Sequence, residues 1–155
     1  MSLVGWSLGG IYAREIARAA PSAVRQVVTL GSPLRLRDRG RSNVSALLEA
    51  VRGPYEGSDQ IQRPSEEARG PLPVPATAIF TRSDGVVPWR ACLEIPSTTS
   101  ESVEVFGSHS GLGLNPAALW VIADRLAQPE GTWRAFRAHG AAARLFRVER
   151  EEQRA

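Results

Sequence analysis

The tightest constraint in this sequence is the stretch Gly5-Trp6-Ser7-Leu8-Gly9. A short apolar run, Leu3-Val4, leads into it, and a helix-like segment follows at once. G-x-S-x-G between a strand and a helix describes a turn so sharp that the residues two before and two after the serine must be small. Gly5 and Gly9 are read as those residues, and Ser7 as a candidate nucleophile at the apex. A chain with this turn is committed to a strand–turn–helix unit that presents the serine at the end of a strand.

The rest of the chain extends that unit. Residues Ser2–Trp6 predict a buried strand. Leu8–Ala20 predicts a helix with Ile11, Ile16, Ala19 and Ala20 inward, Arg14, Glu15 and Arg18 outward, and a stop at Pro21. Val24–Leu30 predicts a second strand, bounded by Gly31-Ser32-Pro33. Strand, helix and strand with short connections form a parallel βαβ unit with a right-handed crossover. Leu34–Pro73 is rich in Arg, Gly, Pro, Ser and Glu, with one expected helix around Asn43–Arg52. Loops of this length in compact domains are commonly lids, so 34–73 is read as a lid-like insertion. Strand character returns at Val74–Thr81, which runs into the turn Arg82-Ser83-Asp84-Gly85, and again at Ser102–Phe106, which ends in Gly107-Ser108-His109-Ser110-Gly111. A short turn or helix is expected between them, around Pro88–Leu93. Asn115-Pro116 is a helix start, a capping side chain followed by proline at the first helical position. Leu119, Ile122, Ala123 and Leu126 give that helix one apolar face. The division is therefore a domain over 1–128 and a tail over 129–155, expected to be helical and anchored by Trp133, Phe136, Leu145 and Phe146.

Composition excludes several function classes. At 155 residues, 43% apolar and 23% charged, the chain reads as one globular domain. Its 19 basic residues are all arginine, and the net charge of +3 is spread along the chain. The densest cluster, Arg35–Arg41, has no interleaved aromatics and reads as a solvated loop, so no nucleic-acid partner is expected. Cys92 is alone, which excludes an internal disulfide. One cysteine and two histidines do not make a dedicated zinc site, so no metal is expected. No run approaches the ~18–20 apolar residues of a membrane span. The first residues lack the pattern of a signal peptide. As written, the chain reads as cytoplasmic with no integral membrane segment.

A serine hydroxyl needs a base within hydrogen-bond reach, and the base needs a third group to orient it. His109 lies directly after a predicted strand, whereas His139 lies in the Arg/Ala-rich tail, so position selects His109. Asp84 follows the Val74–Thr81 strand. In a parallel sheet all strand C-termini share one edge, where sites form. Ser7, Asp84 and His109 each sit there. The backbone N–H of Leu8, at the start of the helix, is the candidate oxyanion-hole donor. Trp6 reads as packing, with the wall of an acyl pocket as the alternative.

These residues resemble the α/β-hydrolase lipases and esterases. Gly5-Trp-Ser-Leu-Gly-Gly-Ile-Tyr-Ala-Arg-Glu15 is similar to the nucleophile elbow and following helix of bacterial members. Val27–Pro33 is similar to their next strand, Ser83–Pro88 to their acid loop, and Gly107–Gly113, through Asn115-Pro116, to their histidine loop. The resemblance covers about residues 1–128. It implies an α/β fold, a mostly parallel sheet flanked by helices, and a serine hydrolase of carboxylic esters. It also implies an acyl-enzyme intermediate and no metal or cofactor, with a small-molecule or lipid ester as substrate. Members carry strands before the elbow and a loop that supplies the second oxyanion-hole donor. This chain is therefore expected to be the C-terminal portion of such a fold, with four strands and a bare elbow strand open to self-association. The alternatives are an acyltransferase on the same fold, and an inactive remnant serving as an interaction fragment.

Overall fold

Five short strands form one sheet in the order β1-β2-β3-β4-β5. The structure, a computed structural model, describes residues 1–35 and 66–149. β1 (Ser2–Trp6), β2 (Gln26–Leu30), β3 (Ala76–Phe80) and β4 (Ser100–Val105) run parallel, and β5 (Phe146–Glu149) pairs antiparallel with β4. β2 and β3 are buried at every residue, the pattern of parallel strands covered on both faces. The mostly parallel α/β architecture expected from the sequence is thus present. The expected count of four strands is exceeded by β5.

The two faces of the sheet hold separate cores. On one, α1 (Leu8–Ala19) lays Ala13 and Ala17 against Val24, Val27 and Ala76, with Leu3, Leu72 and Val74. On the other, α3 (Pro116–Ala127) lays Ala118 and Val121 against Val28, Leu30, Ile79, Val103 and Val105. Val27 and Val28 point to opposite faces, as the period of two in a strand requires. The Asn115 side chain caps α3 by accepting from Ala117 N–H and Ala118 N–H, with Pro116 at the first helical position.

Both helices turn a different face inward from the one that their apolar spacing predicts. In α1 the buried residues are Gly10, Ala13, Arg14 and Ala17, while Ile16 is exposed. In α3 they are Ala118, Val121 and Arg125, while Leu119 and Leu126 are exposed. Small residues let each helix lie close to the sheet, and each buried arginine is neutralised by carboxylates distant in sequence. Arg14 pairs with Glu66 at 2.6 Å and Glu94 at 2.5 Å. Arg125 pairs with Glu101 at 2.7 Å, whose other oxygen accepts from Phe136 N–H.

The tail is also a correction. In place of the expected docked helices, its described residues form a 3₁₀ helix, Gly140–Leu145, and then β5. Phe146 stands opposite Val105 and packs against Phe136, ring centroids 4.9 Å apart, inside the α3-side core. Alternation in Phe146-Arg147-Val148-Glu149 suits a strand better than a helix. Of the lid-like insertion 34–73, a short helix α2 (Glu66–Arg69) and buried Leu72 are seen, and the helix expected around Asn43–Arg52 lies outside the described residues. The expected turn at Pro88–Leu93 is a 3₁₀ helix over Trp89–Cys92. Among the described residues no helix is long and apolar enough to cross a membrane.

Burial raises the Glu66 carboxyl, but Arg14 and Arg18 outweigh it and hold it below the ordinary carboxylate range. At Glu94 desolvation wins over the same Arg14, and the carboxyl is raised. Arg14→Met should therefore cost about 3–5 kcal/mol, because it leaves the buried Glu94 carboxyl without its cation, while Glu66 keeps Arg18 and Arg69. Urea unfolding measures this. For Glu66 the depressed value means stability present above the ordinary carboxylate pKa and lost as pH falls through the depressed one. The stability gap between wild type and Glu66→Gln should thus be full at pH 7 and narrow in acid.

Candidate active site

Ser7 is the one non-glycine residue with positive φ among the described residues, at φ 52° and ψ −122°. Its conformation follows from the close approach of β1 and α1. A Cβ on Gly5 would lie 2.5 Å from both Cα and N of Gly10, so only glycine fits there. At the second small position the sequence reading needs correction. A Cβ on Gly9 would meet nothing within 4 Å among the described residues, whereas one on Gly10 would lie 2.0 Å from Ser32 Oγ and 2.7 Å from Ser32 Cβ. The demand for a small residue here falls on Gly10. Ser7 N–H donates to the Leu30 carbonyl at 2.8 Å, tying the turn to β2.

The structure brings together the three side chains selected from the sequence. His109 Nε2 lies 3.0 Å from Ser7 Oγ, and His109 Nδ1 lies 2.8 Å from Asp84 Oδ2. All three residues are buried. They come from the ends of β1, β3 and β4, on the one edge where parallel strands finish. His139, the other imidazole, is exposed in the tail.

Each member has its own support. Asp84 Oδ1 accepts from Val86 N–H at 3.0 Å and Val87 N–H at 2.6 Å, which fixes the carboxylate and leaves Oδ2 to the imidazole. The His109 main-chain N–H donates to the Asp84 carbonyl at 3.1 Å. Beneath the acid loop lies a small core of Phe80, Val87, Ala91, Cys92 and Leu93. Burial, and then the charge of Asp84, push the Cys92 thiol up to about 12, so it is an inert packing group. Leu8 opens α1, so its N–H is among the first four without an intrahelical acceptor.

Sequence reasoning missed two contributors. Gly31, at φ 54°, forms the floor of the acid–base contact: a Cβ there would come within 3.1 Å of Asp84 Oδ2, 3.2 Å of His109 Nδ1 and 2.9 Å of Leu112 Cδ1. Its place in a Gly-Ser-Pro turn after a strand was the available signal. Trp6, read as packing, is instead half exposed and donates its indole N–H to the His109 carbonyl at 3.0 Å. Among the described residues no group of three or more His, Cys, Asp or Glu could hold a metal ion. A cleft of about 300 Å³ exists at the opposite end of the sheet, lined by residues such as Arg25, Gln26, Pro75, Thr99 and Trp133. Arg25, Gln26, Pro75 and Thr99 lie at strand starts, away from Ser7, so that cleft is not the seat of the contacts above.

The glycine geometry gives a direct contrast. Gly10→Ala should cost about 1–3 kcal/mol through the clash with buried Ser32. Gly9→Ala, in the first turn of α1, should be neutral or stabilising by up to about 1 kcal/mol. Parallel urea titrations of the two variants check this, and equal losses would refute it.

No protein-family model matches the chain, nor does any curated protein sequence. Solved structures do. Alpha/beta hydrolase domain-containing protein 10 from mouse matches at a TM-score of 0.50 and 18% identity, over 81% of this chain and 59% of that one. The protein named as the non-heme bromoperoxidase BpoC from Mycobacterium tuberculosis matches at a TM-score of 0.55 and 18% identity, over 80% of this chain and 65% of that one. The chain thus spans less than two thirds of the length of either. With its parallel sheet, its serine turn and these likenesses, the chain has the α/β-hydrolase fold.

Proposed function

We propose that this chain carries the catalytic residues of a serine hydrolase of carboxylic esters. The observation that carries the reading is the continuous line of contacts from Ser7 Oγ through the His109 ring to Asp84 Oδ2. In this reading Ser7 Oγ attacks the ester carbonyl carbon while His109 Nε2 takes the hydroxyl proton. Asp84 holds the ring and stabilises the imidazolium. The N–H of Leu8 donates to the oxyanion of the tetrahedral intermediate. Collapse breaks the bond to the leaving alcohol, which takes the proton from His109. Water, deprotonated by the same nitrogen, then releases the acid and restores Ser7. The Ser7 backbone also supports the reading, since strained φ values cluster at functional sites.

A fluorophosphonate should label wild-type protein at Ser7, with labelling lost in Ser7→Ala. Asp84→Asn should slow hydrolysis of p-nitrophenyl acetate by roughly 10³–10⁴. Labelling that persists in Ser7→Ala would refute Ser7 as the nucleophile. The acyl-enzyme is equally the intermediate of an acyltransferase, and product analysis with an added alcohol separates transfer from hydrolysis.

A second reading, self-association, is favoured by β1, which among the described residues is paired on one side only. That strand has no charged residue or proline to block pairing, and it leaves Val4 and Trp6 half exposed. Sedimentation velocity should show a dimer at tens of micromolar protein, and a monomer throughout that range would count against it.

A further inference from the structure

Resting on the serine-hydrolase reading above, we propose that Trp6 is a positioning residue for His109. Its indole N–H holds the main chain of the histidine and its ring backs the imidazole, so that Nε2 stays aimed at Ser7. Trp6 ends β1, one residue before the strained turn. Its Nε1–H donates to the His109 carbonyl at 3.0 Å across 103 residues of sequence. The indole and imidazole centroids are 5.7 Å apart, with the rings tilted by 38°.

The tethers of the histidine loop explain why this contact matters. The loop leaves β4, yet His109 must reach the end of β1, three places away in the sheet. At its base the loop is held by Thr81 Oγ1–H donating to the Gly107 carbonyl at 3.0 Å and by the Asn115 amide donating to the Phe106 carbonyl at 2.6 Å. Neither bond extends to β1. His109 itself is gripped from two sides. The acid loop contributes Asp84 Oδ2 to Nδ1 and the Asp84 carbonyl to the main-chain N–H. The elbow contributes Ser7 Oγ to Nε2 and the Trp6 indole to the carbonyl. Leu112 N–H also reaches that carbonyl, at 3.3 Å, but from within the same loop. Trp6 is thus the tether that fixes the histidine main chain to the strand carrying the nucleophile. Trp6 is 47% exposed, so about half of its side chain is covered, and Trp6→Phe keeps an aromatic ring in that half while deleting the donor. Its effect on rate is therefore separable from its effect on stability.

Trp6→Phe keeps a ring and deletes the donor, and Trp6→Leu deletes both. The readouts are the rate of Ser7 phosphonylation by a fluorophosphonate, kcat and KM for p-nitrophenyl acetate, and the urea midpoint. Misplacing a reacting group by about 1 Å can cost roughly 10²-fold. Trp6→Phe is expected to lower kcat and phosphonylation about 10- to 100-fold with KM unchanged and a urea midpoint near wild type, and Trp6→Leu to lower them further with a lower midpoint. In ¹⁵N-labelled wild-type protein the Trp6 indole resonance, assigned directly, should exchange slowly with solvent and move when Ser7 is phosphonylated. Normal kcat in Trp6→Phe, or an indole proton that exchanges as fast as in an unfolded peptide, overturns the positioning role and leaves the serine-hydrolase reading standing. Failure of wild-type Ser7 to label sinks both.

Discussion

Gly5 and Gly10 let a strand and the helix that follows it touch backbone to backbone, and the edge where Ser7, Asp84 and His109 meet is built outward from that contact. With no side chain between them, the chain reverses within one residue, and Ser7 takes a φ that costs roughly 1–3 kcal/mol. Neighbouring groups hold it there. Ser7 N–H is bonded to β2, and Gly10 N–H donates to the Ser7 carbonyl at 3.1 Å. Gly31 extends the same logic one strand further, leaving room for the acid and the imidazole to meet over β2. Three glycines, at 5, 10 and 31, thus help to set where Ser7, Asp84 and His109 stand.

Charge fixes what the glycines leave free. Arg14 joins α1 to α2 and to the segment around Glu94, and Arg125 joins α3 to β4. Such pairs contribute little net stability compared with an apolar core, but leaving one partner alone is costly. They therefore select one rotation of each helix about its axis. That selection explains why Ile16, Leu119 and Leu126 face outward although they look like core residues.

Much of this was legible in the sequence because it is written locally. Strands β1 to β4 are short β-rich runs with turn residues at their ends, and the Asn115-Pro116 cap is a two-residue signal. Ser7, Asp84 and His109 could be named as neighbours because each follows such a run and parallel strands share an edge. The helix faces were not legible. Their partners Glu66, Glu94 and Glu101 lie 52, 80 and 24 residues away, beyond any periodicity. β5 was hidden by the Arg- and Ala-rich stretch before it, which looks helical. The roles of Gly10, Gly31 and Trp6 arise only when distant segments come together.

The acid loop carries one more consequence. An aspartate has two equivalent oxygens, but Val86 N–H and Val87 N–H occupy Oδ1 and leave only Oδ2 for the ring. When that carboxylate is ionised it can only accept, so a neutral imidazole facing it carries its proton on Nδ1. Nε2 then presents a bare lone pair to the Ser7 hydroxyl. Two peptide groups in a turn thereby settle which carboxylate oxygen faces a ring that they never touch.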